Sequence, residues 1–145
     1  MIRLATQEAF DDWVSRMDGE IGALKDSLPE SLSSVMDSTV ESLVEVEKYL
    51  LEHYVSTDAL LEDTVNYDRI GRYVGEVLRL HTGDSWHIEL EEEEFAFFGS
   101  PVLRAPNSAM DSPFRLISTC IHRQTGDYIK TVATSKIRNA SKRSD

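Results

Sequence analysis

A glutamate beside two helical glycines is the first candidate for chemistry in this sequence. Glu76 directly follows Gly75, which lies four residues after Gly71, so both glycines fall on one face of a predicted helix. If another backbone packs on that face, Glu76 is buried, and burial raises the pKa of a carboxyl group towards values suited to proton transfer. Structural ion pairs are commoner than catalytic acids, so the sequence favours a structural Glu76 paired with Arg79 or Arg72.

Histidines and glutamates near residue 87 have side chains that suit a metal ion. His87, Glu89 and Glu91 alternate along a predicted strand and therefore share one face. Neighbouring positions on that face are about 6–7 Å apart, so one ion needs further ligands from elsewhere, such as His81. We predict a solvated strand face with no metal and no other cofactor. A small enzyme that uses Glu76 or His87 as an acid–base catalyst is the alternative.

Nucleophilic catalysis is not indicated by the remaining polar residues. Cys120, the single cysteine, shares the apolar side of a predicted helix with Ile117 and Ile121, which is typical of a buried, unreactive thiol. No serine lies in a Gly-x-Ser-x-Gly turn, and no glycine-rich loop precedes a Lys-Ser or Lys-Thr pair. We therefore assign no catalytic residue and expect a protein without enzymatic activity.

Charge is unevenly distributed along the 145 residues, whose formal net charge is −11. Residues 1–100 contain 7 Lys/Arg and 23 Asp/Glu, whereas residues 101–145 contain 8 and 3. The densest acidic run, which we call the acidic segment, comprises Glu89, Glu91, Glu92, Glu93 and Glu94. Such a run attracts basic proteins and repels nucleic acid and anionic membranes. A solvated turn that protects an exposed strand edge is the commoner interpretation of such a run, and a basic protein partner is the functional one.

Hydrophobic periodicity predicts helices first and strands later. Apolar residues recur every three or four positions after Thr6, a predicted N-cap, and again after Thr39, where Glu47 shares the apolar side. They recur once more from Tyr67 to Leu80, where Asp68 and Arg72 are spaced to pair and Gly83 suits a left-handed C-terminal position. They then alternate from Trp86 to Leu90, and a helical pattern returns after Pro113, with Asp111 or Ser112 as its cap. This order is typical of an α+β fold, with N-terminal helices followed by a small antiparallel sheet and a further helix.

The same patterns divide the chain into one domain and a tail. We assign residues 1–134 to a single α+β domain, within which residues 104–113 form a loop rich in turn-forming residues. Residues 127–134 fit a strand or another short element. Residues 135–145 contain no aromatic residue and one large aliphatic residue, Ile137, which predicts a flexible basic tail.

Short motifs follow one another in a distinctive order between residues 66 and 124. A predicted helix carries Gly75-Glu76 near its centre, Gly83 and Trp86 introduce a strand, and Gly99–Leu103 and Pro113-Phe114 come later. In this order they resemble a set of small bacterial domains of uncharacterised function, some of which are linked to toxin–immunity loci. The resemblance implies the fold and an immunity-like role, and it brings no catalytic residues.

Three functions are compatible with these features. The first is protein binding through the acidic segment, specifically inhibition of a basic bacterial toxin. The second is an adaptor or structural role through the apolar stripe of Phe10, Trp13 and Met17, which is either core or interface. The third is the small enzyme described above. The single cysteine, the polar N-terminus and the lack of long apolar runs predict a cytoplasmic protein without a secretory signal or a membrane span.

Overall fold

The computed structural model of the chain describes residues 2–105 and 110–143. Within these residues the fold is α+β, with helices in the N-terminal part, a two-stranded antiparallel sheet and further helices after it, which confirms the predicted class. The helices and strands, in chain order, are α1 (Gln7–Ser15), α2 (Met17–Ser27), α3 (Glu30–Ser33), α4 (Ser42–His53), α5 (Thr57–Glu62), α6 (Thr64–Thr82), β1 (Ser85–His87), β2 (Val102–Arg104), α7 (Pro113–Arg123) and α8 (Tyr128–Arg143).

The N-terminal helical pattern is divided between α1 and α2. Thr6 caps α1 as predicted, because its side chain accepts a hydrogen bond from the backbone N–H of Ala9 at 3.1 Å. The two helices meet at Arg16, whose backbone leaves the helical region with φ −90° and ψ 3°. The stripe of Phe10, Trp13 and Met17 continues across this break and is buried in the core. These three side chains therefore pack inside the chain and do not form an exposed interface.

Helix α6 is the central element, and aromatic rings lie on its two glycines. The ring of Phe114 from α7 occupies the space where a Cβ atom on Gly71 would be, and the ring of Trp86 from β1 does the same at Gly75. The sequence predicted a close approach at this face, but the expected neighbouring backbone is replaced by aromatic side chains. Gly83 ends α6 in the left-handed conformation, with φ +79°, as predicted.

The strands of the sheet are shorter than the alternating sequence pattern predicts. Trp86 lies opposite Leu103 in the antiparallel pair, and β1 ends at His87 although the alternation continues to Leu90. The physical reason is that β2 offers three residues for pairing, so the chain beyond β1 finds no further partner there and enters a series of turns. The loop predicted over residues 104–113 includes residues 106–109, which lie outside the described residues.

The C-terminal part is more helical than the sequence indicated. Ser112 caps α7 and Pro113 occupies its first turn, as predicted. Helix α8 then runs from residue 128 to residue 143, through most of the segment 127–134 that fitted a strand or another short element and through residues 135–143, where we expected a flexible tail. This correction has a packing reason, since α8 contacts α4, α6 and α7, and Ala140 is only 7% exposed. Residues 144–145 lie outside the described residues.

A buried carboxylate holds the start of α8. Glu47 of α4 is fully buried and accepts hydrogen bonds from the backbone N–H groups of Ile129, at 2.8 Å, and Tyr128, at 3.1 Å. The first N–H groups of a helix have no partner within the helix, and a negative charge there interacts favourably with the helix dipole. The sequence placed Glu47 on the apolar side of its helix but did not reveal this role, because the two partners are more than 80 residues apart.

We expect Gly71→Ala to destabilise the protein by about 1–3 kcal/mol, because the new methyl group overlaps with the Phe114 ring. The matched control is Gly22→Ala in α2, where nothing lies within 4 Å of an added Cβ. That change should stabilise the protein by up to about 1 kcal/mol through helix propensity. Urea denaturation of the two variants measures both effects. Equal stabilisation by both changes would contradict the close packing of Phe114 on Gly71.

We expect Glu47→Ala to cost about 1–3 kcal/mol, because two buried N–H groups of α8 lose their acceptor. Glu45→Ala, an exposed change on the same helix, is the control and should stay within about 0.5 kcal/mol of the parent protein. Hydrogen exchange of the amides of Tyr128 and Ile129 provides a local measurement. Unchanged protection of these two amides in the Glu47 variant would refute the capping role.

Candidate functional site

Both oxygens of the Glu76 carboxylate accept hydrogen bonds from neighbouring side chains. Its side chain is 17% exposed, and its two oxygens accept hydrogen bonds from Arg79, with Nε–Oε2 at 2.6 Å and Nη2–Oε1 at 3.2 Å. The indole Nε1–H of Trp86 donates to the same Oε2 at 3.0 Å. The hydrogen bond with Glu76 raises the pKa of Arg79 above its usual value. Of the two arginines considered from sequence, Glu76 therefore pairs with Arg79, in a geometry that fixes the Trp86 ring.

Arg72 forms a second ion pair, one that is more deeply buried. Its side chain is 3% exposed and its Nε donates to Asp68 at 2.8 Å, the pair expected from their four-residue spacing. Its Nη1 donates to the backbone oxygen of Trp13 at 2.6 Å, and its guanidinium lies 4.1 Å from the centre of the Trp13 ring. The indole N–H of Trp13 donates to Asp68 at 2.8 Å. No sequence signal marks Arg72 as buried, because arginine is usually exposed.

The two ion pairs are joined by a pair of tryptophans. The rings of Trp13 and Trp86 meet edge to face, with centres 4.9 Å apart and an interplanar angle of 77°. Each indole N–H donates to a carboxylate of α6, Trp13 to Asp68 and Trp86 to Glu76. Aromatic pairs in this arrangement favour one relative orientation, so α1 and β1 are both aligned on α6.

A cleft opens where α1, α2, α6 and β1 meet, and we call it the Trp86 cleft. Its volume is about 570 Å³, within the range of ligand-binding clefts. Apolar side chains form its floor: Phe10, Val14, Met17 and Trp86. Charged side chains form its rim, with four carboxylates and one guanidinium: Asp11, Asp18, Glu76, Asp84 and Arg79. Of these rim residues, the sequence pointed only to Glu76 and its possible partner Arg79, because tertiary packing brings the other three carboxylates to the cleft.

The histidines considered as metal ligands are separated. His81 lies at the end of α6 with its Nε2 3.0 Å from the backbone oxygen of Ser38, and His87 is half-buried on β1. Among residues 2–105 and 110–143, no three His, Cys, Asp or Glu side chains are arranged to hold a metal ion. The set of His87, Glu89 and Glu91 proposed from alternation is not formed, because β1 ends at His87.

The acidic segment is exposed at its tip and anchored at its base. Residues 91–94 are exposed and Glu89 is half-buried. Glu91 donates its backbone N–H to the Glu89 carboxylate at 3.0 Å, and this bond lowers the pKa of Glu89. The backbone oxygen of Glu89 accepts from Gly99 at 2.9 Å, and Gly99 in turn accepts from Leu4 at 2.6 Å. None of residues 91–94 forms an ion pair with any other residue of the described ranges.

Cys120 is fully buried on α7, as its apolar neighbours predicted. Its Sγ–H donates to the backbone oxygen of Ile117 at 3.1 Å. Burial, and to a smaller extent the nearby negative charge of Glu47, raises the pKa of the thiol to about 12. Because the thiolate is the nucleophilic form, Cys120 is unreactive at neutral pH.

Comparisons with known proteins identify no relative of this chain. It matches no family model, no curated protein and no solved structure. In the part of the chain that the structure describes, no helix has both the length and the apolar character that crossing a membrane requires.

We expect stability to fall at alkaline pH in a way that depends on Cys120. The unfolded thiol ionises near pH 8.5, whereas the folded thiol stays protonated up to about pH 12. The stability that this raised pKa provides is therefore fully present below pH 8.5. As the pH rises from there towards 12, the free energy of unfolding falls by about 1.4 kcal/mol per pH unit. Urea denaturation between pH 7 and 9.5, below the range in which tyrosines ionise, should show this slope in the parent protein and a smaller one in Cys120→Ala. Rapid reaction of the native thiol with a disulfide reagent at pH 8 would contradict the burial.

Proposed function

We propose that this chain is an acidic protein-binding domain whose partner is a basic protein. The observation that carries the proposal is the acidic segment, where residues 91–94 expose four consecutive carboxylates without a paired cation in the described ranges. Like charges held this close repel one another, and a basic partner surface relieves that repulsion. Complementary charge of this kind raises the association rate and selects the partner more than it adds affinity.

The anchoring of the acidic segment supports a recognition role. Ile88 before it and Gly99 and Ser100 after it are buried, and the backbone bonds of Glu89 and Gly99 hold the two ends together. A segment whose ends are fixed loses less conformational entropy when a partner binds. This arrangement distinguishes it from a long charged tail, which would pay the ordering cost on binding.

The distribution of charge also favours a basic protein over other partners. The acidic residues are concentrated in residues 1–100, whereas the basic excess of residues 101–145 lies mainly on α7 and α8. Nucleic acid and anionic membranes bring closely spaced negative charges, which the acidic body repels. A basic protein brings the opposite charge, so its approach to the acidic segment is favourable.

We further propose that the partner is a bacterial toxin and that the chain inhibits it as an immunity-like protein. The resemblance of residues 66–124 to domains linked to toxin–immunity loci supports this identity. The alternatives have less support. The stripe of Phe10, Trp13 and Met17, which an adaptor would use, is buried, and both oxygens of Glu76, the candidate acid, already accept hydrogen bonds.

The test replaces the glutamates at 91–94 with glutamine and measures association with a captured basic partner. The chain is used as bait in the cells that encode it, and the partner is identified and purified. We expect the variant to associate about tenfold more slowly at low salt and to show a weaker salt dependence than the parent protein. Stopped-flow kinetics at several salt concentrations supplies the measurement.

The control carries the same charge change elsewhere, with Glu41, Glu45, Glu52 and Glu62 of the α4–α5 region replaced by glutamine. It should associate faster than the variant of residues 91–94. Equal slowing by the two sets would show that only net charge matters and would refute a specific role for the acidic segment. Recovery of neutral or acidic partners alone, bound equally at high salt, would sink the proposal. Co-expression with the partner tests the inhibitory role, which requires that the chain relieve the partner's toxicity.

A further inference from the structure

We propose that the Trp86 cleft receives an arginine side chain of the basic partner. This inference rests on the proposed function, and it names a second contact surface and the residue type that the surface binds. The acidic segment supplies attraction at long range, whereas a cleft with an apolar floor supplies a defined contact at short range. Clefts with an apolar lining and a few convergent polar groups are the usual binding sites of proteins.

The charge of the rim favours a cation. Four carboxylates and one guanidinium line the cleft, and the guanidinium of Arg79 is already engaged by Glu76. Asp11 and Asp18 lie on the exposed side of the rim, on α1 and α2. Asp11 accepts from Gln7 through Oδ1 at 3.0 Å, and its second oxygen accepts nothing from the described residues. The lining therefore carries an excess of negative charge, which favours a cation in the cleft.

The floor of the cleft favours a cation with a flat, weakly hydrated head. The half-buried Trp86 ring forms part of it, beside the aliphatic side chains of Val14 and Met17. A guanidinium stacks on an indole and forms two parallel hydrogen bonds with a carboxylate, whereas the ammonium of lysine is strongly hydrated and lacks the fork. Arginine therefore suits this combination of indole and carboxylates better than lysine.

The protein already contains one example of the same recognition. Inside the core, the guanidinium of Arg72 lies 4.1 Å from the centre of the Trp13 ring and pairs with Asp68, which also accepts the Trp13 indole N–H. In the cleft, Trp86 donates its indole N–H to Glu76. An indole bonded to a carboxylate thus occurs twice on α6, once with a buried arginine and once beside an open cleft.

The Trp86 ring is fixed before any ligand arrives. Its N–H donates to Glu76, its ring meets the Trp13 ring in an edge-to-face contact, and its six-membered ring lies on Gly75. A wall that does not rearrange keeps the entropic cost of binding low. The Trp86 ring is therefore already in place for a guanidinium to pack against.

The first test uses a small probe, Nα-acetyl-arginine amide, titrated into the full chain and followed by the indole N–H signals in nuclear magnetic resonance. We expect the Trp86 signal to shift in a saturable way, with the lysine and citrulline analogues binding at least about tenfold more weakly. Asp11→Asn with Asp18→Asn should weaken the arginine probe about tenfold. The matched control, Asp26→Asn with Asp58→Asn, makes the same charge change away from the cleft and should leave binding unchanged.

Several outcomes would overturn the inference. These are the absence of a saturable Trp86 shift, equal binding of the lysine analogue, and equal weakening by the control pair. Circular dichroism of each variant confirms that the exposed substitutions leave the fold intact, so a loss of binding is attributable to the rim. These readouts require no partner protein.

The second test separates this inference from the proposed function. With the captured partner, the Asp11 and Asp18 variant should dissociate faster with a nearly unchanged association rate, because it acts at short range. The variant of residues 91–94 could associate more slowly while the cleft variant dissociates at the normal rate. That result would refute the role of the cleft in partner binding and leave the proposed function standing. If the arginine probe binds the cleft but no basic partner is captured, the proposed function is refuted and the binding of arginine in the cleft stands.

Discussion

The packing of two aromatic rings on the glycine face of α6 is the interaction on which the rest of the structure depends. Phe114 on Gly71 fixes α7 against the central helix, and Trp86 on Gly75 fixes the sheet. Two glycines within a helix cost about 2 kcal/mol of helix propensity. The burial of a phenylalanine and most of a tryptophan offsets that cost, since each such side chain contributes a few kcal/mol. The glycines are therefore a requirement of packing between elements.

From this contact the positions of the polar groups follow. Because Trp86 lies on Gly75, its indole N–H reaches Glu76 one residue further along α6, and its ring meets Trp13 edge to face. Trp13 in turn covers Arg72 and bonds to Asp68. The alternation of carboxylate, arginine and indole along one side of α6 is thus set by ring packing, and the cleft is the space left between these rings and the end of α1.

Local patterns in the sequence predicted local structure well, and distant contacts account for the differences. The caps at Thr6 and Ser112 and the left-handed Gly83 depend on neighbouring residues, so they could be read directly. Helix α8 could not, because its polar sequence gives a weak helical pattern and its stability comes from α4, α6 and α7. Of the candidate site, Glu76 was found through its glycines, whereas Asp11 and Asp18 join the rim only once α1 and α2 lie against α6.

The capping of α8 by Glu47 links the beginning of the chain to its end. A chain that ends before α8 would lose the two N–H donors to Glu47 and the surface with which α8 covers α4, α6 and α7. Both losses fall on α4, whose carboxylate and apolar side chains would then meet water. The stability of the helices before residue 83 thus depends on residues 128–143, and one carboxylate couples two segments that are distant in sequence.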